Sequence, residues 1–295
     1  MSFIKDLYHD EIRDGYLVTA SIKKYWNRYL EIVAEVDRIC RKHKIKYWAA
    51  YGTLLGAVRH NGFIPWDEDL DLCMLRPEFK RFCKIIEDEL KQSNVFALKE
   101  ILLGLIRIGH SQTTLMDKTY YENKPQIIAI DIFALDVAPD STPKSSLAYQ
   151  AFNEVLYAAY DYPNIVINVQ KGSLKLVNDL STLKTVFDLP EEKRMPFIDF
   201  YLEGLFNQSS SVAWMQDTMK NYSPFKKDWF NETIYLPFET IELPAPADYD
   251  EVLTSYYGDW RTPIPDGHSR KGSLITADIP WQEFMQRADL NLNLP

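Results

Sequence analysis

The stretch from Gly52 to Leu72, GTLLGAVRHNGFIPWDEDLDL, decides how the rest of the chain is read. Just before it, Ile45-Lys46-Tyr47-Trp48-Ala49-Ala50-Tyr51 is rich in aromatic and β-branched residues and predicts a strand. Gly52-Thr53 closes that strand, and Leu54, Leu55, Ala57 and Val58 predict one or two helical turns. Asn61-Gly62 and Pro65 mark a loop. Leu70 to Leu75 then reads as a buried strand. Side chains alternate faces along a strand, so Leu70, Leu72 and Met74 are expected on one face and Asp67, Asp69 and Asp71 on the other. Carboxylates crowded on one face repel unless cations lie between them. Two Mg²⁺ ions about 3.5–4 Å apart, clamping the attacking and leaving oxygens of a phosphate, are a common solution.

Working outward, a further acid sits in Ile130-Asp131-Ile132 within the apolar run Ile127 to Val137, the clearest strand of the chain. An ionised carboxylate among such neighbours needs a compensating partner, and a metal shared with Asp69 and Asp71 would be one. Asp136 competes for that role, but it lies near the strand end, where solvation is easier. On the amino-terminal side, Tyr25, Tyr29, Ile32, Val33, Val36 and Ile39 recur at helical spacing within Ser21 to His43. The helix ends in the basic run Arg41-Lys42-His43-Lys44, which suits the negative end of its dipole. Pro77 opens another helix through about Leu90, with Phe79, Phe82, Ile85 and Ile86 on its buried side. Short strands are expected between Phe96 and Met116. After Pro139 and Pro143, Ser145 to Val169 and Glu191 to Phe206 read as mostly helical, Thr233 to Phe238 as a strand, and Ala247 to Tyr257 as a short helix. The order predicts an α/β (α+β) fold: a mixed sheet flanked by helices, with a largely helical C-terminal part. Residues 1–140 would form the catalytic core. Residues 141–295 would form a helical and loop-rich part packed on it, with 233–260 returning to the active site.

Composition narrows the function. Of 295 residues, 46% are hydrophobic and 25% charged, which is ordinary for a globular protein and excludes wholesale disorder. The net charge is −9, from 42 acids against 33 bases, so bulk nucleic-acid binding is disfavoured while a local nucleotide site is not. The three cysteines, Cys40, Cys73 and Cys83, form no CxxC pair, which argues against a disulfide framework or a zinc site and for a reducing compartment. No apolar signal region and no membrane-length apolar run is read in the chain, so a cytoplasmic protein, with peripheral membrane contact left open, is expected. P-loop, GxGxxG and GxSxG motifs are absent. Asp67, Asp69, Asp71 and Glu78 fall at EF-hand positions 1, 3, 5 and 12, but Leu72 stands where that loop needs Gly. A solvated acidic loop is the plainer alternative to a catalytic cluster.

A Gly-Thr turn after a strand, an Asp-x-Asp strand and a third Asp on a later strand together resemble the nucleotidyltransferase fold. The longer string from Gly52 to Leu72 resembles one branch of it, the LicD family, and more distantly the fukutin-type ribitol-phosphate transferases. The likeness continues in Asp131-Ile132-Phe133-Ala134-Leu135-Asp136, in Leu236-Pro237-Phe238-Glu239 and in Tyr257-Gly258-Asp259-Trp260.

The resemblance implies transfer of phosphocholine from CDP-choline to a sugar hydroxyl of a bacterial surface-glycan precursor such as a teichoic acid repeat, with release of CMP. It implies a lipid-linked acceptor met at the inner face of the membrane. Carried over residue by residue, Asp69, Asp71 and Asp131 would be catalytic and bind the metal, Mg²⁺ or alternatively Mn²⁺, and Asp131 would take the acceptor's proton. Gly52 and Thr53 would hold phosphate through the free N–H groups of a helix start and the Thr53 hydroxyl. Two readings stay open for several other residues. Arg59, with His60 beside it, faces the phosphates or forms a solvated basic turn. Arg107 grips a diphosphate with its fork or pairs with a structural carboxylate. His268 belongs to a flap over the phosphates or is simply exposed. Choline is a quaternary ammonium, which aromatic faces bind; the candidates are Trp48, Tyr51 and Trp66, which flank the motif, or Tyr249, Tyr256, Tyr257 and Trp260, which cluster late, against core packing for any one of them. Rival activities are transfer of another CDP-linked alditol phosphate, a nucleotidyltransferase releasing pyrophosphate, and an inactive scaffold of the same fold.

Overall fold

The structure is a computed structural model and describes residues 3–67, 69–102, 104–116, 127–138, 147–190, 192–194, 196, 210–213, 224–262, 274–280 and 283. Its centre is a mixed sheet. Strand β4 (Asp71–Leu75) runs parallel to β8 (Ala129–Ala138) and antiparallel to the two-residue β3 (Trp48–Ala49). Beyond β8 lies β6 (Leu105–His110), antiparallel to it, followed by β5 (Val95–Leu102). The far end of β8, Asp136 to Ala138, pairs with β9 (Ser211–Ala213), which pairs in turn with β10 (Phe225–Lys226).

The expected strand from Ile45 to Tyr51 shrinks to Trp48–Ala49 because the chain turns into helix α2 (Tyr51–His60) at once. Tyr51 takes a left-handed φ of 45° at that junction. A bulky residue is rare there and carries a strain of about 1–3 kcal/mol. Gly52-Thr53 is therefore the first turn of α2 and not the end of the strand.

Helix α1 (Ala20–His43) buries the expected stripe: Tyr25, Tyr29, Ile32, Val33, Val36 and Ile39 are each at most 3% exposed. Thr19 caps its start by accepting from the Ile22 N–H, and Lys44 ends it in a left-handed turn. Helix α3 (Arg76–Glu89) carries Pro77 in its first turn and buries Phe79, Phe82 and Ile86, with Ile85 only half-buried.

Three two-stranded sheets lie apart from the mixed sheet. β1 (Glu11–Arg13) pairs with β2 (Tyr16–Val18), β11 (Thr233–Phe238) with β12 (Ile241–Pro246), and β13 (Leu274–Thr276) with β7 (Thr114–Met116). Of these six, β11 is expected from the sequence, and β7 falls among the short strands expected between Phe96 and Met116. Pro244 and Pro246 disguise β12, since proline is tolerated only where no ladder bond is needed. Helices α4 (Leu147–Gln170), α5 (Leu180–Phe187) and α6 (Tyr249–Tyr257) complete the elements. α4 breaks at Asp161, just before Pro163. Tyr157, Ala158, Ile165 and Leu183 form a small core of their own between α4 and α5, whereas Phe238, Leu243, Val252, Leu253 and Trp260 join the main one. The segment 191–206 lies largely outside the described residues.

Candidate active site

The strand register builds the site. Asp71 on β4 lies opposite Asp131 on β8, and Asp131 lies opposite Arg107 on β6. Residues in register on adjacent strands share a face, so these three form a row across the sheet. Leu72, Ile130 and Ile132, fully buried, hold the other face. Arg107 grips Asp131 with both prongs of its guanidinium: Nε donates to Oδ1 at 2.6 Å and Nη2 to Oδ2 at 3.1 Å. Of the two open readings for Arg107, the ion pair is the one present. Asp131 is compensated by an arginine and not left bare among apolar neighbours.

The four acids are not one strand face. β4 begins only at Asp71, so Asp67 and Asp69 belong to the loop before it, Asp69 exposed and Asp67 half-buried. Their charges still converge. Burial pushes the Asp71 carboxyl well above the usual carboxylate range; Asp69, Asp131 and Asp67 push it further, and Arg107 partly opposes them. Among the described residues no three of these side chains gather closely enough around one point to share an ion. The set joined in the sequence reading, Asp69, Asp71 and Asp131, is thus an electrostatic cluster whose third member is turned to Arg107. Its donors are all carboxylate oxygens, the chemistry that suits a hard divalent cation, and the repulsion that holds the Asp71 pKa high is what such a cation would relieve.

Gly52 and Thr53 stand beside the acids, at the start of α2. Ala50 supplies no side-chain cap there. A Cβ at Gly52 would run into the Asp67 carboxylate, so the missing side chain lets that acid lie against the helix start. Thr53 is 4% exposed, and its hydroxyl oxygen accepts the Asp71 N–H at 2.8 Å. The hydroxyl expected on phosphate holds the first residue of β4 through its acceptor side. Replacing Thr53 by Val should leave that N–H unpaired and lower stability by about 1–3 kcal/mol, with Thr53→Ser close to wild type. Urea unfolding of both variants measures this; an unchanged Thr53→Val midpoint would refute it.

The loop carrying the acids is anchored from outside. Phe63 stacks on Trp26 at 4.7 Å and meets Phe238 edge-on at 4.8 Å. Glu239, in the β11–β12 turn, donates its N–H to the Asn61 carbonyl at 2.8 Å. Its carboxylate accepts from the Phe63 N–H at 3.3 Å and from both Arg13 nitrogens, at 2.5 and 3.1 Å. The string Leu236-Pro237-Phe238-Glu239 therefore steadies the loop that presents Asp67 and Asp69.

The aromatic candidates divide. Trp48 is fully buried, donates Nε1–H to the Thr233 hydroxyl at 3.0 Å and packs on Phe230, which excludes it from a ligand cage. Trp260 is 7% exposed, and the Arg261 guanidinium covers its ring at 4.5 Å, which excludes it as well. Tyr51 and Tyr257 do come together, through Tyr256: ring centroids are 4.8 Å apart for Tyr51–Tyr256 and 4.6 Å for Tyr256–Tyr257. The Tyr256-Tyr257 doublet lies at the end of α6, where helical geometry alone does not say which ring faces the sheet. The Tyr257 hydroxyl is pushed up by burial and then by Asp67, Asp71 and Asp69, so this cluster adjoins the acids. Trp66 lies half-buried on the other side, edge-on to Tyr16 and His60. Arg59 donates Nη1–H to the Trp260 carbonyl at 3.0 Å. His268 lies outside the described residues.

Known proteins with the same arrangement of sequence can now be set beside it. Residues 44–153 match the domain described as LicD/FKTN/FKRP, nucleotidyltransferase domain. Over 246 residues the chain is 26% identical to the lipopolysaccharide cholinephosphotransferase LicD of Haemophilus influenzae, covering 80% of this chain and 90% of that protein. Shorter stretches resemble uncharacterized proteins of Rickettsia typhi, 41% identical over 66 residues, and of Rickettsia prowazekii, 44% over 48 residues. These cover 22% and 16% of this chain and 21% and 18% of the relatives.

Proposed function

We propose that this chain, which belongs to the LicD family through the nucleotidyltransferase domain at residues 44–153, transfers phosphocholine from CDP-choline to a sugar hydroxyl of a surface-glycan precursor. The observation that carries the proposal is the row Asp71–Asp131–Arg107 with the charges of Asp67 and Asp69 acting on Asp71. The similarity to a cholinephosphotransferase over 80% of this chain supports phosphocholine as the group transferred. No helix of the described residues is long and apolar enough to cross a membrane.

Phosphoryl transfer needs positioning and charge neutralisation more than covalent help. Asp69 and Asp71 are the residues that would hold Mg²⁺ or Mn²⁺. A bound ion would neutralise the negative charge of the diphosphate as CMP departs. Thr53 and Glu239 fix the two ends of the loop that sets these acids. The acceptor hydroxyl attacks the choline-bearing phosphorus, the bond from phosphorus to the bridging oxygen breaks, and CMP leaves with that electron pair. The hydroxyl proton passes to Asp131, kept in orientation by Arg107. Tyr51, Tyr256 and Tyr257 supply aromatic faces beside an acidic cluster, the combination that suits a quaternary ammonium.

Calorimetry with CDP-choline, CDP-ribitol and CMP tests this. CDP-choline should bind in the presence of Mg²⁺ and lose most of its affinity when EDTA replaces it. Tyr257→Ala should weaken CDP-choline by about three- to thirtyfold, the scale of a cation–π contact, while CMP and CDP-ribitol change little. Equal losses for all three ligands would remove choline from the proposal and leave a different CDP-linked donor.

A further inference from the structure

A cavity of about 520 Å³ opens beside the acids, bounded by the tip of the β1–β2 hairpin, the last turn of α2 and the chain beyond α6. Its walls include Asp14 and Tyr16, Arg59 and His60, Trp66, and Arg261. The volume is ordinary for a small-molecule site. None of the chemistry above uses it.

Its polar groups are incompletely satisfied. Arg59 forms no ion pair among the described residues. Nη1 is taken by the Trp260 carbonyl, while Nε is buried with no hydrogen-bond partner. Burial lowers the Arg59 pKa, with Tyr257 and Asp14 opposing that shift. His60 reaches Asp14 through Nε2 at 3.4 Å, and its Nδ1 is likewise buried without a partner. A guanidinium half-withdrawn from water with an idle edge is costly unless an anion answers it. In a chain of net charge −9, two arginines line one cavity here, and with Arg261 paired to Asp250, Arg59 is the one that can answer an anion. Trp66 adds a flat apolar surface, meeting Tyr16 at 6.4 Å and His60 at 6.1 Å, both edge-on.

The cavity also lies in the right place. Trp66 immediately precedes Asp67, whose charge acts on Asp71. Arg59 and the acids Asp67, Asp69 and Asp71 all act on the Tyr257 hydroxyl. A ligand could therefore span from Arg59 to the acids. We propose that this cavity binds the nucleoside monophosphate half of the donor, its phosphate answered by Arg59 and its base lying against Trp66 and Tyr16. The choline end would then point to Tyr51, Tyr256 and Tyr257. The proposal rests on the reading that the donor is nucleotide-linked, but not on choline being its cargo.

The test uses CMP as the probe, with phosphocholine as a second ligand, on the full chain by calorimetry in Mg²⁺. Arg59→Gln should weaken CMP about tenfold or more, and Trp66→Leu about fivefold or more, with phosphocholine unchanged. Arg59 also braces the Trp260 carbonyl, so thermal melts accompany the titrations, and Arg59→Lys and Trp66→Phe serve as milder variants expected to keep the melt and show part of the loss. CMP binding that is equal in wild type and all variants, or absent in wild type, overturns the assignment of this cavity. A parallel measurement of CDP-choline turnover separates the two ideas. Loss of CMP affinity in the variants without turnover of CDP-choline by wild type keeps the cavity and removes the donor. Turnover in wild type with CMP affinity untouched by the variants does the reverse.

Discussion

Asp71→Asn should lower the proposed Mg²⁺-dependent transfer by about 10³-fold, while leaving the metal-free protein at least as stable as wild type at neutral pH. The activity loss follows from removing the charge on which the cluster converges, and its scale is that of losing one preorganised electrostatic contact. The stability result follows from the raised pKa. The folded protein holds the Asp71 proton more tightly than the unfolded chain does, so the unfolded chain binds fewer protons and stability falls as pH rises. The contribution is fully present below the ordinary carboxyl value of 3.8 and is lost as pH climbs through the higher folded value. Asparagine keeps the shape without the titration. The gap between variant and wild type should therefore widen in favour of the variant from acid to neutral pH. Adding Mg²⁺ should raise the wild-type melting temperature and leave Asp71→Asn nearly unmoved. A variant that keeps a tenth of wild-type turnover, or one that melts well below wild type at pH 7, would refute the account.

Arg76→Met should lower stability by about 3–5 kcal/mol, the cost of leaving a buried carboxylate without its partner. Arg76 opens α3 and Asp136 lies near the end of β8; their side chains are 2% and 3% exposed. The pair is bidentate, Nε to Oδ1 and Nη2 to Oδ2, each at 2.5 Å. Gly104, at φ 80°, leaves room for it: a Cβ there would come within 2.7 Å of Arg76 Nη2. The double variant Arg76→Met with Asp136→Leu should recover much of the loss, since it removes both charges. Denaturant unfolding of the two single variants and the double variant gives the coupling. Additive losses would mean that the two side chains act independently. This ion pair also corrects the sequence reading of Asp136. A position near a strand end suggested easy solvation, yet a helix start from elsewhere in the chain closes over it.

The same contrast runs through the molecule. The stripe on α1, the proline start of α3 and the extent of β11 were legible because local periodicity and backbone stereochemistry determine them, and these are short-range properties. The acids Asp67, Asp69, Asp71 and Asp131 were legible for a related reason. Carboxylates at the start of a buried strand, or within one, break an apolar pattern and so announce themselves.

What could not be read was which groups answer those charges. The pairing of Arg107 with Asp131, and of Arg76 with Asp136, depends on the register between strands and on a helix packed from another part of the chain. So do the burial of Trp48, the covering of Trp260 by Arg261, and the use of the Thr53 hydroxyl by Asp71. The sequence by itself determined that this chain would place clustered acids on a mixed sheet. Only the tertiary structure decided which acid stands in register with which and which is paired with an arginine. Coulomb energy depends on distance through space, and strand pairing sets that distance without regard to separation along the chain.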